Sequence, residues 1–147
     1  MNTGNYYLIN LPNFGDERGQ MCVAECDREI PFTIQRVFYD YNNVASCEAR
    51  GNHANRNSSF VFICVHGSCT IRVNDGYNEN VFVMDNPQKA LFVNKMVWKE
   101  MFDYSIDSVL LILSNEKYNS NEYIRDFKEF KNVVNNSNKI YCPSSKK

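Results

Sequence analysis

Apolar residues along this chain come in short runs divided by turn-forming residues. The runs "IQRVFYDY" (34–41), "SFVFICV" (59–65), "CTIRV" (69–73), "NVFVM" (80–84), "KALFV" (89–93), "VWKEMF" (97–102) and "SVLLILS" (108–114) are rich in Val, Ile, Phe and Tyr, and each predicts a strand. Asp75-Gly76 between two of them is a hairpin signal, and "DNPQ" (85–88) turns the chain again. No helical periodicity intervenes, so the expected architecture is all-β, an antiparallel barrel of jelly-roll type. The pattern changes near the C-terminus. Tyr123, Ile124, Phe127, Phe130, Val133 and Val134 in "NSNEYIRDFKEFKNVV" have the offsets of one helical face, with Ser120 placed as N-cap and Glu122 in the first turn. Periodicity stops after that, which predicts a single domain over 1–134 and a polar, loose tail over 135–147.

Composition narrows the function classes. A chain of 147 residues, 44% hydrophobic and 14% aromatic, suits one packed domain. Sixteen basic and 17 acidic residues leave a net charge of -1, which supplies no field for holding a nucleic-acid backbone or an anionic membrane. Local cations could still grip a small anion. "MNTGNYYLINLP" lacks the basic stretch and apolar run of a secretory leader, and no segment has the roughly 18 apolar residues of a membrane span. The expected location is therefore the cytoplasm, where the six cysteines stay reduced. Cys22 and Cys26, Cys64 and Cys69, and the isolated Cys47 and Cys142 contain no C-x-x-C pair, so buried thiols are expected rather than a zinc site.

Candidate chemistry centres on "EARGNHANR" (48–56), which carries one of only two histidines. If His53 points into a barrel, strand alternation turns Asn55 inward too and Ala54 outward. Two inward polar groups are costly in a dry core. They would line a wet cavity, or else the segment is a rim where both meet water; the residues alone leave both open. His66, before Gly67 at a turn, is expected at the surface. In "FGDERGQM" (14–21), Arg18 is either part of a charged loop or a fork of donors reaching a phosphate or enolate oxygen. In "VWKEMF", Val97, Lys99 and Met101 share one face and Trp98, Glu100 and Phe102 the other, without the sequence saying which face is inside.

Taken in order, "IPFTIQRVFY", "RGNHANR", "PQKALFVNKMVWKEMFDYS" and "SNEKYNSNEYIRDF" resemble the sugar 3,4-ketoisomerases that act on dTDP-4-keto-6-deoxyglucose. The resemblance implies a cupin-type jelly roll, usually a homodimer, with a site inside each barrel and neither cofactor nor metal. It implies a product, a dTDP-3-keto-6-deoxyhexose, that feeds the making of 3-amino sugars for surface polysaccharide such as the O-antigen of lipopolysaccharide. By position, His53 matches the family's catalytic base, and Arg50 and Arg18 match polar positions around the sugar and its phosphates. Asn55 stands where a second histidine is common, Phe38 where a tyrosine is usual, and Lys99 at a variable place after the tryptophan. The resemblance thus makes His53, Arg50 and Asn55 the reacting set, and Arg18, Phe38, Tyr39, Arg56, Arg72 and Lys99 the substrate contacts. Arg18, Arg50, Arg56 and Arg72 are the candidate partners of the pyrophosphate, in that order.

The metal slots of a metal-binding cupin fall at Asn55, Phe60 and near Lys99, and a single imidazole cannot hold a transition metal. In the implied reaction, neutral His53 takes the proton from C3, which the C4 ketone acidifies, and C4 is reprotonated. Whether His53, water or Tyr39 delivers that second proton stays open. Arg18 tilts the expected product to the galacto form. A non-catalytic sugar-nucleotide binder and a 3,5-epimerase on the same barrel are the other readings.

Overall fold

The computed structural model describes residues 4–43 and 48–139. Cys47, Cys142 and the last eight residues of the expected tail lie outside the described residues. Among the described residues twelve strands form in chain order: β1 (Tyr6–Asn10), β2 (Asn13–Asp16), β3 (Gly19–Cys22), β4 (Arg36–Asp40), β5 (Arg50–Asn55), β6 (Phe60–His66), β7 (Cys69–Asn74), β8 (Glu79–Met84), β9 (Lys89–Val93), β10 (Trp98–Phe102), β11 (Val109–Ser114) and β12 (Tyr123–Ile124). One helix, α1 (Phe127–Lys139), follows. Two five-stranded sheets carry the fold, in the orders β1-β9-β6-β11-β4 and β12-β5-β10-β7-β8, and β2-β3 is a separate hairpin. The pairings within these sheets are antiparallel, so the expected all-β jelly roll of cupin type is what the chain forms.

Alternation explains which residues fill the interior. Phe60, Phe62 and Cys64 of β6 face Cys69, Ile71 and Val73 of β7, with Leu91, Val93, Val97, Met101, Leu110 and Ile112 closing the core. The continuous apolar run of β6 has a reason. Val61 and Ile63 point out of the barrel but are buried by a second cluster containing Leu11, Ile30, Phe92 and Leu113, with Ala24, Phe32 and Ile34 of the segment after β3 packed on it. The outer face of the other sheet is covered by α1. Ala54, Trp98, Ile124 and Phe130 form that third cluster, with Val133 and Val134 of the helix against it. Trp98 is therefore buried on the outer face, and Lys99 is the residue of that pair turned inward.

The helix begins later than its apolar stripe predicts. Ser120–Glu122 is a single 3₁₀ turn capped by Asn119, not the first helical turn, and Tyr123–Ile124 extend the second sheet by pairing with Asn55 and Ala54. Asp126 is the cap of α1, its carboxylate accepting from the Glu129 N–H at 2.9 Å. The helix runs on to Lys139, past the boundary expected at Val134. Among the described cysteines all four thiols are free. Cys64 and Cys69 are buried as expected, whereas Cys26 is exposed. His66 is at the surface as expected, paired with Asp107 at 3.2 Å. No helix of the described residues is long and apolar enough to cross a membrane.

Candidate active site

His53 owes its position to an irregularity in β5. The pairing of β5 with β10 matches Lys99 to His53 and then Glu100 to Gly51, so one residue is skipped. Gly51 and Asn52 take φ of 87° and 53° there, and a bulge of this kind re-aims the next side chain. A Cβ on Gly51 would lie 2.8 Å from the Lys99 carbonyl oxygen, so only glycine lets the two strands approach. The result is that His53 and Asn55 face inward and Ala54 outward under α1, as alternation requires.

The imidazole is half-buried. Its Nδ1 lies 2.9 Å from the Gly51 carbonyl oxygen, which can only accept. Nδ1 therefore carries the proton, and Nε2 keeps its lone pair. Burial, and then the charge of Lys99, push this histidine down to about 4, against the raising effect of its hydrogen bonds. It is thus neutral, and a free base, at pH 7. The ring of Tyr123 lies 4.7 Å from it, and Tyr118 stands 5.8 Å beyond Tyr123.

Asn55 does not line water. It is fully buried, and its polar atoms are satisfied by neighbours: Nδ2 donates to Glu122 Oε1 at 3.0 Å, and Oδ1 accepts from Lys99 Nζ at 2.8 Å. Glu122 is itself buried. It accepts from the Asn57 and Ser58 N–H groups at 2.9 and 3.0 Å and from the Ser58 hydroxyl. Burial opposes its ionisation, but these hydrogen bonds outweigh that and hold its carboxyl below the usual range. Lys99, 2% exposed, sits 4.7 Å from the centroid of the Phe60 ring. Burial lowers its amine to about 7, with Glu122 pulling the other way.

The remaining expected contacts divide. Phe38 faces inward and meets Phe60 edge-on at 6.4 Å. Arg50 reaches Asp40 of β4 at 3.1 Å, bridging the two sheet edges; Tyr104 donates to the same carboxylate at 3.2 Å. Tyr39 is on the opposite side of β4 from Phe38 and is 61% exposed, so this chain's barrel does not receive it. Arg72 also points outward, between Glu79 and Glu100 at 3.1 and 2.9 Å and over Phe102. Arg56 pairs with Glu129 of α1 on the outside. Arg18 stands at the tip of the β2–β3 hairpin, 88% exposed and bound to Asp16. Within this chain Arg18, Tyr39, Arg56 and Arg72 are not brought to His53, because strand parity or a nearby carboxylate directs each elsewhere.

One other arginine, Arg125, acts on His53, and a second, Arg36, meets the same aromatic wall. Arg36 alternates with Phe38 on the inner face of β4. Its guanidinium carbon lies 4.8 Å from the Phe38 centroid and 5.7 Å from that of Tyr118, and its Nε and Nη2 are buried without a hydrogen-bond partner among the described residues. Unmet buried donors typically cost about 1–3 kcal/mol each. Arg125, just after β12, lies 4.8 Å over the Tyr123 ring and acts on His53 through its charge. Arg36 could have been suspected from its parity with Phe38. Arg125 and Glu122 could not, since the sequence reads as helix there. The site is thus a neutral imidazole acted on by Lys99 and Arg125, with an aromatic wall of Tyr123 and Tyr118 that Arg36 meets from the far side. A surface hollow along residues 14–21 lies elsewhere, lined by Arg18 and Gln20. Among the described residues no group of His, Cys, Asp and Glu could hold a metal ion.

Comparison with known proteins agrees with this arrangement. The family model FdtA, described as WxcM-like, C-terminal, matches residues 4–135. A TDP-4-oxo-6-deoxy-α-D-glucose-3,4-oxoisomerase of Aneurinibacillus thermoaerophilus is 35% identical over 127 residues, 86% of this chain and 91% of that protein. The TDP-fucose-3,4-ketoisomerase WlaRA of Campylobacter jejuni superposes with a TM-score of 0.85 at 38% identity, covering 90% of this chain and 98% of the other. The ketoisomerase QdtA of Thermoanaerobacterium thermosaccharolyticum, solved with TDP, gives 0.86 at 31% identity over 90% and 96% of the two chains. The chain belongs to the FdtA family of cupin-fold sugar 3,4-ketoisomerases.

Proposed function

We propose that this protein isomerises TDP-4-keto-6-deoxyglucose to the 3-keto sugar, with His53 as the base at C3. The observation that carries the reading is a neutral, half-buried histidine with its proton on Nδ1, acted on by Lys99 and Arg125, for which no carboxylate lies at ion-pair distance among the described residues. A C4 ketone acidifies the C3 hydrogen. Its removal places negative charge on O4, where nearby cations stabilise it. Acid–base assistance of this type supplies about 10²–10⁴-fold. The pyrophosphate brings about two negative charges. Arg36 and Arg125 take the role expected of Arg56 and Arg72, and the bound anion raises the basicity of His53 from its low value. Tyr118 and Tyr123 offer faces for the sugar or the base.

The galacto form is the proposed product, in line with a likeness of 38% identity to WlaRA, named a TDP-fucose-3,4-ketoisomerase, against 35% for the TDP-quinovose 3,4-ketoisomerase WlaRB. A carbonyl at C3 is what an aminotransferase needs to install nitrogen there, so a 3-amino sugar is the proposed end of the sequence. A homodimer is also proposed, in which the exposed β2–β3 hairpin and Arg18 meet the second subunit. The test is to mix the protein with TDP-4-keto-6-deoxyglucose and follow the carbonyl carbon by NMR. A new ketone resonance at C3 is expected. An unchanged spectrum, with binding intact, would instead favour a sugar-nucleotide binding protein.

A further inference from the structure

Lys99 is an ammonium with three donors and only one hydrogen bond among the described residues, to Asn55 Oδ1 at 2.8 Å. A lysine buried for structure alone is usually seated on a carboxylate. Here the one carboxylate acting on it among the described residues, Glu122, reaches it through an amide. Glu122 already accepts from Ser58 and two backbone N–H groups, and Asn55 Nδ2 completes its shell. That bond fixes the amide the one way round that turns Oδ1 toward Lys99. The lysine is therefore held in place without being neutralised.

Hydrocarbon surrounds Lys99 on two sides. On β7, Ile71 and Val73 present hydrocarbon to the same interior, and Phe60 covers another side. On β5, Lys99 is the direct cross-strand partner of His53, both side chains facing inward. Arg50 of that strand is tied to Asp40, and Arg125 acts on His53 from beyond β12. Burial brings the amine to about 7, where it can both give and take a proton near neutrality.

We propose that Lys99 carries the proton that moves from O3 to O4 of the substrate while His53 handles the carbon-bound proton, with Asn55 and Glu122 as its positioning residues. This rests on the ketoisomerase reading. As His53 Nε2 removes the C3 proton, the C3–H electron pair becomes the C3=C4 bond. The C4=O π pair moves to O4, which takes a proton from the Lys99 ammonium. The enediol then reverses the flow. The neutral amine removes the O3 proton, C3=O forms, and the C3=C4 pair takes the proton from the imidazolium at C4. Enzyme and lysine end in their starting states, and no oxidant or metal is needed.

The test is the pH dependence of kcat/KM for wild type, Lys99→Arg, Lys99→Met and Glu122→Gln. Wild-type activity should fall as pH rises through about 7, because the ammonium is lost. Lys99→Arg keeps a cation that does not deprotonate. It should lower kcat about 100-fold and remove that alkaline fall. Lys99→Met should lose as much while melting no lower than wild type, which excludes misfolding as the cause. Glu122→Gln should move the alkaline limb to lower pH, since the charge that stabilises the ammonium is gone. Lys99→Arg within threefold of wild type, or an alkaline limb unchanged in Lys99→Arg, overturns the proposal. Wild type that does not isomerise at all overturns the ketoisomerase reading itself and this step with it.

Discussion

At the scale of single residues, His53, Lys99 and Arg36 are each held in a state that water would not choose, and each should report it. His53→Asn should abolish isomerisation, a loss of about 10³-fold or more within the range for acid–base groups, with TDP affinity by calorimetry changed only a few-fold. Retained turnover would remove His53 as the base. The low folded value of His53 also predicts a stability signature. Its neutral form is favoured in the fold, so the unfolded chain takes up the proton first as pH falls from 6.5, and stability is lost down to about 4. Urea unfolding of His53→Asn should lack that component between these pH values. For Lys99 the window lies on the alkaline side. The unfolded amine titrates at 10.5 and the folded one at about 7, so burial of the cation weighs on the fold below 7 and is relieved as pH rises to 10.5. Lys99→Met should therefore raise the melting temperature more at pH 6 than at pH 10. Arg36→Met should weaken TDP binding at least tenfold without loss of stability, because it removes two buried donors that lack partners.

At the scale of elements, the bulge in β5 aims the site. Gly51→Ala places a Cβ 2.8 Å from a backbone oxygen in a residue with φ of 87°. The expected cost is about 1–3 kcal/mol of stability, with activity falling further than stability explains because His53 turns with the strand. Equal losses at Gly51 and at the helix cap Asp126, where Ala should cost about 1 kcal/mol, would argue that the bulge has no special role. The same elements show how far the sequence was legible. The seven strand runs were readable because alternation, or burial on both faces as in β6, leaves a plain pattern. The start of α1 was not. Tyr123 and Ile124 fit a helical stripe as well as they fit β12, and the choice was made by Ser58 and Asn55, far away in sequence, which draw Glu122 inward, and by Asp126, which caps the helix just downstream. β2 and β3 went unread because neither has an apolar run, and their exposed pattern comes from a hairpin that pairs only with itself.

At the scale of the whole molecule, the site forms where the β4 edge of one sheet meets the β5–β12 edge of the other. The sequence brought His53 and Asn55 forward through their alternation and the family resemblance, and Phe38 and Lys99 through the resemblance alone. It also offered Tyr39 and Arg72 without fixing their parity, and in a strand that parity decides the face: both turn outward in this chain. It missed Glu122, Arg125 and Tyr118, whose role depends on a chain reversal that no local pattern encodes. At this junction a neutral His53 is proposed to remove a carbon-bound hydrogen from a sugar bound beside it. The most direct test is proton NMR of TDP-4-keto-6-deoxyglucose with the protein in heavy water, beside His53→Asn. The account predicts a 3-keto product with the C3 hydrogen gone and a proton or deuteron newly placed at C4, and no change with the mutant. Exchange confined to C5, or the same product formed by His53→Asn, would contradict it.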